Sequence, residues 1–222
     1  MELKDIAEIG QSVSLIIASL FAIYGLDAWR REFVGKRRME LAEEVLALFY
    51  QARDAIDAAR SPLGFGGEGS SRKPSANENP EDKEALDSAY VIVERLQSNA
   101  EVFSRIHVLR YRFMAQLGAD AALPFDKLWR IRNELLIAAS RMARLATRKE
   151  WQLRTDDALE KHHKEHTEVS EIVWGGFSED DPITRRVNAI VNEVETTCRA
   201  VIESKGTLFA LINLKLQRWR AK

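Results

Sequence analysis

The sequence predicts an all-α protein in which an N-terminal transmembrane helix continues into an up-and-down four-helix bundle. Apolar residues recur at intervals of three and four along most of the chain, and no stretch alternates with a period of two. The 222 residues include only 5 prolines and 11 glycines, which cluster and leave long stretches free of helix breakers. The third observation is an uncharged apolar run near the N-terminus, from Ile9 to Leu26.

That run, IGQSVSLIIASLFAIYGL, is about 18 residues or about 27 Å of helix, just enough to cross a hydrocarbon core. Acidic residues precede it, whereas Trp29, Arg30 and Arg31 follow it as membrane-interface residues. The pattern predicts a membrane anchor over residues 1–28, with the N-terminus outside and residues 29–222 in the cytoplasm. The alternative is a buried or partner-docking helix of a soluble protein, because Gln11 and three serines dilute the run.

Small residues recur every four positions inside this run. They are Gly10, Ser14, Ala18 and Ala22, on one side of the predicted helix. Small residues at this spacing let membrane helices approach closely, so the stripe predicts self-association, although small residues are also common there by chance.

Proline and glycine residues divide the rest of the chain into predicted helices. The first helix extends from about residue 5 to 60 and ends at Ser61-Pro62, and a polar, flexible linker occupies residues 61–82. A second helix covers about 80–117 with Gly118 as its stop, and Pro124 opens a third. Residues 147–170 are strongly charged and predict a solvated extension, and a last helix begins at Asp181-Pro182 after a loop over 174–182.

Alternating helix directions place the two loops at one end and the C-terminus at the other. Phe65, Trp174 and Phe177 in the loops are possible partner contacts, with capping of the bundle core as the alternative. Arg218, Trp219 and Arg220 near the C-terminus fit an anionic membrane surface or an ordinary basic helix end.

The stretch GFGGEGSSRK contains Gly64, Gly66 and Gly69 in the spacing of a dinucleotide-binding fingerprint. That motif requires a strand before the glycines and a helix N-terminus after them. Here a predicted helix comes before, and SSRKPSANENPED comes after. The glycines therefore indicate a flexible connection and not a nucleotide site.

Three other features have weak chemical interpretations. His162 and His166 lie in an H-x-x-E-H pattern and are weak candidates for a metal pair, against a plain surface helix. His107 between arginines permits a phosphotransfer interpretation, against a packed histidine. Cys198 lies on an apolar stripe, which indicates a buried core residue.

The run WRREFVGKRRMELAEEVLALFYQARDAIDAARSPLGFGGEGSSRK, with AYVIVERL and LRYRFMAQLG further on, resembles bacterial proteins with a short N-terminal membrane segment and a helical body. No activity is assigned to those proteins, so the resemblance implies a bacterial inner-membrane setting and nothing chemical.

The sequence as a whole predicts a non-enzymatic, membrane-anchored scaffold, adaptor or signalling protein that self-associates and contacts a cytosolic protein. The net charge of -1 argues against nucleic acid as a partner, and no pattern indicates a cofactor or a small-molecule substrate. The alternatives are a soluble helical interaction protein with a partner-docking N-terminal helix, a small oligomerising membrane effector, and, last, a histidine-based enzyme.

Overall fold

The computed structural model describes residues 3–76, 78–148, 155–175 and 180–203, without the side chains of residues 3–13, 27, 28 and 31. Two compact units make up the chain. One contains residues 1–42 and 200–222, and the other contains residues 43–199.

The described residues are helical almost throughout, and no strand occurs among them, which confirms the all-α prediction. The helices are α1 (Leu3–Ala59), α2 (Lys83–Ser98), α3 (Ala100–Leu117), α4 (Leu123–Ala146), α5 (Asp156–Val173) and α6 (Pro182–Glu203). Short 3-10 turns at Pro80–Asp82 and Asp120–Ala122 lead into α2 and α4.

The first unit contains the N-terminal part of α1, and here the prediction of a membrane span is wrong. Among the described side chains, no helix is both long enough and apolar enough to cross a bilayer. The assignment to the inner membrane as a single-pass protein with its N-terminus out depended on this span and is wrong with it.

Glycine and proline residues lie at the helix ends that the sequence indicates, but one predicted helix is divided into two. Gly118 has φ +98 and follows the last residue of α3, and its N–H donates to the Met114 carbonyl at 3.0 Å. Pro124 lies in the first turn of α4, and the Asp181 carboxylate accepts from the Ile183 N–H at 3.1 Å to cap α6. The single helix predicted over 80–117 is instead divided at Asn99, whose ψ of 17° leaves the helical region.

The charged stretch 147–170 does not extend one helix. α4 ends at Ala146, and α5 begins after Thr155, whose hydroxyl accepts from the Ala158 N–H at 3.2 Å. Residues 149–154 lie outside the described part. α5 buries one apolar side, which includes Val169 and Val173, so this stretch is not wholly solvated.

In the second unit, ion pairs indicate antiparallel contacts between the end of α1 and α3, between α3 and α4, and between α4 and α6. Arg95 of α2 reaches carbonyls at the end of α1, whereas Arg105 of α3 pairs with Glu44 at 2.9 Å. α4 runs antiparallel to α3, since Arg110 pairs with Asp126 near the start of α4. Its contacts with α6 are antiparallel too, through Lys127–Glu193 at 2.7 Å and Glu134–Arg186 at 2.8 Å.

The core of this unit lies between these helices. Its centre holds an aromatic cluster in which Phe125 contacts Phe49 edge-on at 4.9 Å and Phe113 at 5.3 Å between ring centroids. Buried side chains from the other turns extend it: Val45, Leu48, Ala52, Ile56, Ile92, Leu96, Phe103, Ile106, Leu128, Ile131, Leu135, Val187, Val191, Val194 and Cys198. The three-and-four spacing of these residues is the pattern that predicted the helices.

Candidate functional site

The most conspicuous surface is an apolar stretch of α1, residues 14–34, defined here as the α1 apolar segment. Large apolar side chains along it are between 43% and 73% exposed. They are Leu15, Ile16, Ile17, Leu20, Phe21, Ile23, Tyr24, Leu26, Trp29, Phe33 and Val34. Scattered exposed apolar residues are ordinary on proteins, but a continuous run of them marks an interaction surface.

The small-residue stripe lies along this segment. Ala18 and Ala22 are exposed, Ser14 is exposed with a polar interaction, and the surroundings of Gly10 lie outside the described part. Apolar residues at consecutive positions, such as Leu15, Ile16 and Ile17, point to different sides of a helix. The exposed apolar surface is therefore wider than the stripe.

The prediction of membrane-interface residues depended on the transmembrane span, which the structure does not support. Trp29 and Arg30 are exposed, and Trp29 stacks on Phe33 with ring centroids 5.8 Å apart. The Arg37 guanidinium lies 4.5 Å from the Phe33 ring centroid. The side chain of Arg31 and the whole of Arg218, Trp219 and Arg220 lie outside the described residues.

A buried arginine joins the end of α1 to the loop between α5 and α6. Arg60 is 1% exposed, and its guanidinium binds both carboxylate oxygens of Asp181. It also donates to the carbonyls of Ile172 at 2.9 Å and Glu171 at 3.0 Å, at the end of α5. The Gly175 N–H donates to the Arg60 carbonyl at 2.8 Å.

This arrangement changes the ionisation of Asp181. Burial by itself raises the pKa of that carboxyl, but hydrogen bonds from Arg60 and Thr184 outweigh burial, and its pKa is lower than usual. A Cβ at Gly175 would lie 3.0 Å from both the Arg60 Nη1 and the Asp181 Oδ2. Glycine at 175 therefore leaves the room that the ion pair occupies.

A second arginine organises the segment 61–82. Arg95 of α2 donates to the carbonyls of Ser61 at 2.7 Å and Leu63 at 2.8 Å, and its guanidinium pairs with Glu68 at 2.5 Å. Those hydrogen bonds from Arg95, with one from the Phe65 N–H, lower the pKa of Glu68. The segment 61–82, which composition predicts to be flexible, thus has specific ties to α2.

The same segment contains a second ion-pair group and one glycine that the packing requires. Arg72 pairs with Glu78 at 2.6 Å and with Asp87 of α2 at 3.0 Å. Gly69 has φ +81, and a Cβ there would lie 2.0 Å from the Asp87 carbonyl oxygen. Because a helix precedes these glycines and no strand occurs in the described residues, the fingerprint lacks its structural context.

The loop aromatics differ in their surroundings. Phe65 is 83% exposed; its backbone N–H donates to the Glu68 carboxylate at 3.0 Å, and its carbonyl accepts from the Glu68 N–H at 3.2 Å. Trp174 is half-buried, and its carbonyl accepts from Arg60 at 3.4 Å. Phe177 lies outside the described residues. Phe65 is therefore the aromatic that the described loops leave open to a partner.

The two histidine candidates differ in burial. His162 is 8% exposed and its Nδ1 has no hydrogen-bond partner, whereas His166 is exposed. In the part of the chain that the structure describes, no group of three or more His, Cys, Asp or Glu side chains is placed to hold a metal ion. The metal interpretation of this pair stays an untested prediction.

His107 lies on an exposed aromatic surface of α3 and α4. Its ring is 5.5 Å from Trp129 and 5.8 Å from Tyr111, centroid to centroid. The Arg132 guanidinium lies 5.3 Å from the Trp129 ring centroid. Aromatic packing explains the position of this histidine without any phosphate chemistry.

Cys198 is fully buried, and burial raises the pKa of its thiol to about 12.

Sequence patterns missed Arg60 and Arg95 because their partners are backbone carbonyls far along the chain. An arginine directly after a long apolar helix, as in AARSP, is the one available signal for Arg60. The chain matches no protein-family model, no curated protein and no solved structure.

Proposed function

We propose that this protein is a helical scaffold or adaptor that works through protein–protein contacts and associates with itself through the α1 apolar segment. The observation that carries the proposal is the exposure of large apolar side chains at positions between 15 and 34, which charged residues interrupt only at 27 and 30–32. Fully burying each such side chain gains about 1.5–3 kcal/mol relative to leaving it in water. A second copy of the chain supplies an equally apolar surface to cover it.

The width of the apolar surface indicates more than two copies. Ile16, Leu20 and Ile23 lie on one side of the helix, whereas Leu15 and Leu26 lie on another. A helix that is apolar all round is buried on all sides in a stable protein. A single neighbouring helix covers one side, so several α1 segments packed together account for the pattern best.

Sedimentation of the full chain over a range of concentrations tests the proposal. The wild type is expected to sediment well above its monomer mass of 25.3 kDa. Leu20→Asp with Tyr24→Asp places two charges on adjacent turns and is expected to shift the protein toward the monomer. The matched control is Leu63→Asp, because Leu63 is 79% exposed but lies outside the segment.

Two results would contradict the proposal. One is a wild type that sediments as a monomer at every concentration. The other is an oligomer that the double variant leaves intact or that Leu63→Asp disrupts equally. Circular dichroism of each variant shows whether the helices are retained, so that dissociation is not mistaken for unfolding.

We infer in addition that residues 43–199 are an up-and-down bundle of four arms: the end of α1, α2 with α3, α4, and α5 with α6. The antiparallel contacts of Arg105 with Glu44, Arg110 with Asp126, and Lys127 with Glu193 support this arrangement. If the last contact holds in solution, Lys127→Glu should destabilise the protein, and adding Glu193→Lys should restore part of the loss. Equal stability of the single and the double variant would contradict the arrangement.

A further inference from the structure

A groove lies between α4 and α5. Two adjoining hollows of about 540 and 380 Å³ follow it and share Arg141 and Val169 as lining residues. On α4 the lining extends from Arg130 to Leu145, which is about 22 Å of helix at 1.5 Å per residue, and Arg148 lies just beyond the end of α4. On α5 it extends from Glu165 to Ile172.

The α4 wall of this groove is mainly cationic, because the carboxylate of Glu134, which also lines it, is already paired with Arg186. Arg130, Arg141, Arg144 and Arg148 line it, and none forms an ion pair with a carboxylate of the described residues. Other arginines of the same unit do find such partners, as Arg186 does with Glu134. Since the whole chain has a net charge of -1, this concentration of free positive charge is local.

The remaining lining has a different character. Apolar side chains of Ile137, Leu145 and Val169 line the hollows, and Ile137 is 55% exposed. The α5 wall contributes Glu165 and Glu168, which face the same hollow as three of the arginines. The groove therefore combines an apolar lining, a cationic wall and a carboxylate-bearing wall.

We propose that this groove binds an amphipathic helix of a partner protein that has carboxylates along the flank facing α4. Helix-in-groove recognition uses an apolar helix face set into an apolar groove, and flanking charges fix its orientation. The arginines select Asp and Glu on one flank of the partner, and Glu165 and Glu168 select Lys or Arg on the other. The length of the α4 wall matches a partner helix of about 15 residues.

The same features disfavour nucleic acid as the occupant. Glu165 and Glu168 repel phosphates from the α5 side of the groove. Single strands are held by aromatic side chains that stack on the bases, and no aromatic residue is among the described residues that line the two hollows. An apolar lining adds nothing to the binding of a duplex backbone.

The test is a fluorescence-anisotropy titration of the full chain with a defined probe. The probe is a fluorescein-labelled synthetic helix of about 15 residues, with Leu at three-and-four spacing, Glu on one flank and Lys on the other. A second peptide has Gln in place of every Glu. Saturable binding of the first peptide and weaker binding of the second are expected, with the affinity falling as salt rises.

Matched charge reversals locate the binding. Arg144→Glu is expected to weaken binding of the acidic peptide by roughly fivefold or more, because it replaces attraction by repulsion inside the groove. Arg112→Glu makes the same charge change at an exposed residue of α3 and is expected to leave the affinity within about twofold. Circular dichroism confirms that both variants keep their helices.

Three results would overturn the proposal. They are no binding of the acidic peptide, equal loss in the Arg144 and Arg112 variants, and tighter Arg144-dependent binding of a labelled oligonucleotide than of the peptide. The last result would assign the groove to nucleic acid. The groove lies on α4 and α5 alone, so these outcomes do not depend on self-association through the α1 apolar segment.

Discussion

Arg60 is a polar residue whose removal is expected to destabilise the protein strongly. In Arg60→Ala the carboxylate of Asp181, which is 8% exposed, loses its cation, and the carbonyls of Glu171 and Ile172 lose their donor. Removing one partner of a buried ion pair costs roughly 3–5 kcal/mol, because the other charge is left uncompensated. For a chain of this length that corresponds to a fall in Tm of about 10 °C.

The free energy of unfolding is measured by urea denaturation of wild type and variants, followed by circular dichroism. Arg60→Met with Asp181→Asn should lose less stability than Arg60→Ala, because neither charge is then left alone. The matched control is Arg199→Ala, which removes an exposed pair with Glu195 and should cost under about 0.5 kcal/mol. A loss below about 1 kcal/mol for Arg60→Ala, with an unchanged m-value, would refute the buried-pair argument.

Three further predictions concern Gly69, Cys198 and Asp181. Gly69→Ala should cost about 2 kcal/mol or more in urea unfolding, because of its positive φ and its approach to a backbone carbonyl. Gly66→Ala should be nearly neutral, since its Cβ meets nothing within 4 Å, so equal costs would contradict the reasoning. Because burial raises the pKa of the Cys198 thiol to about 12, the thiol should stay unreactive toward a thiol reagent at pH 8 until the chain is unfolded. Rapid labelling of the native protein would show that the thiol is accessible. The pKa of Asp181 is lower in the folded than in the unfolded state, so its ionised carboxylate stabilises the folded protein. This contribution is complete above the unfolded pKa of about 4 and is lost as the pH falls through the folded-state pKa. In Asp181→Asn the free energy of unfolding should therefore fall less steeply as the pH is lowered.

Local signals predicted the helices, because each signal acts within one turn of the residue that carries it. Pro124 and Gly118 mark ends that the structure keeps, and the Asp181-Pro182 pair opens α6 as a cap and first-turn residue should. The break at Asn99 was not predictable in this way. Apolar spacing continues across it on both sides, and only the backbone angles of Asn99 separate α2 from α3.

The charge on α4 illustrates why a candidate surface is harder to predict than a helix. The sequence shows that Arg141, Arg144 and Arg148 make this helix locally basic. It does not show whether they pair with the many nearby glutamates, because pairing depends on which side of α5 faces α4. In the structure Glu165 and Glu168 line the same hollow without forming an ion pair with these arginines. The packing of α5 against α4, and not the local sequence, therefore decides which of these arginines lack an ion pair with the described carboxylates.

The ends of α1 and α5 show how the loops of the second unit acquire their order. The last carbonyls of a helix have no partner within the helix, and a glycine in the left-handed conformation often satisfies them. Here arginines from other elements do so instead: Arg95 at the end of α1, and Arg60 at the end of α5. Each guanidinium also binds a carboxylate, Glu68 or Asp181, which fixes its position. Each side chain thus caps the end of a helix and connects it to a residue distant from it in the sequence.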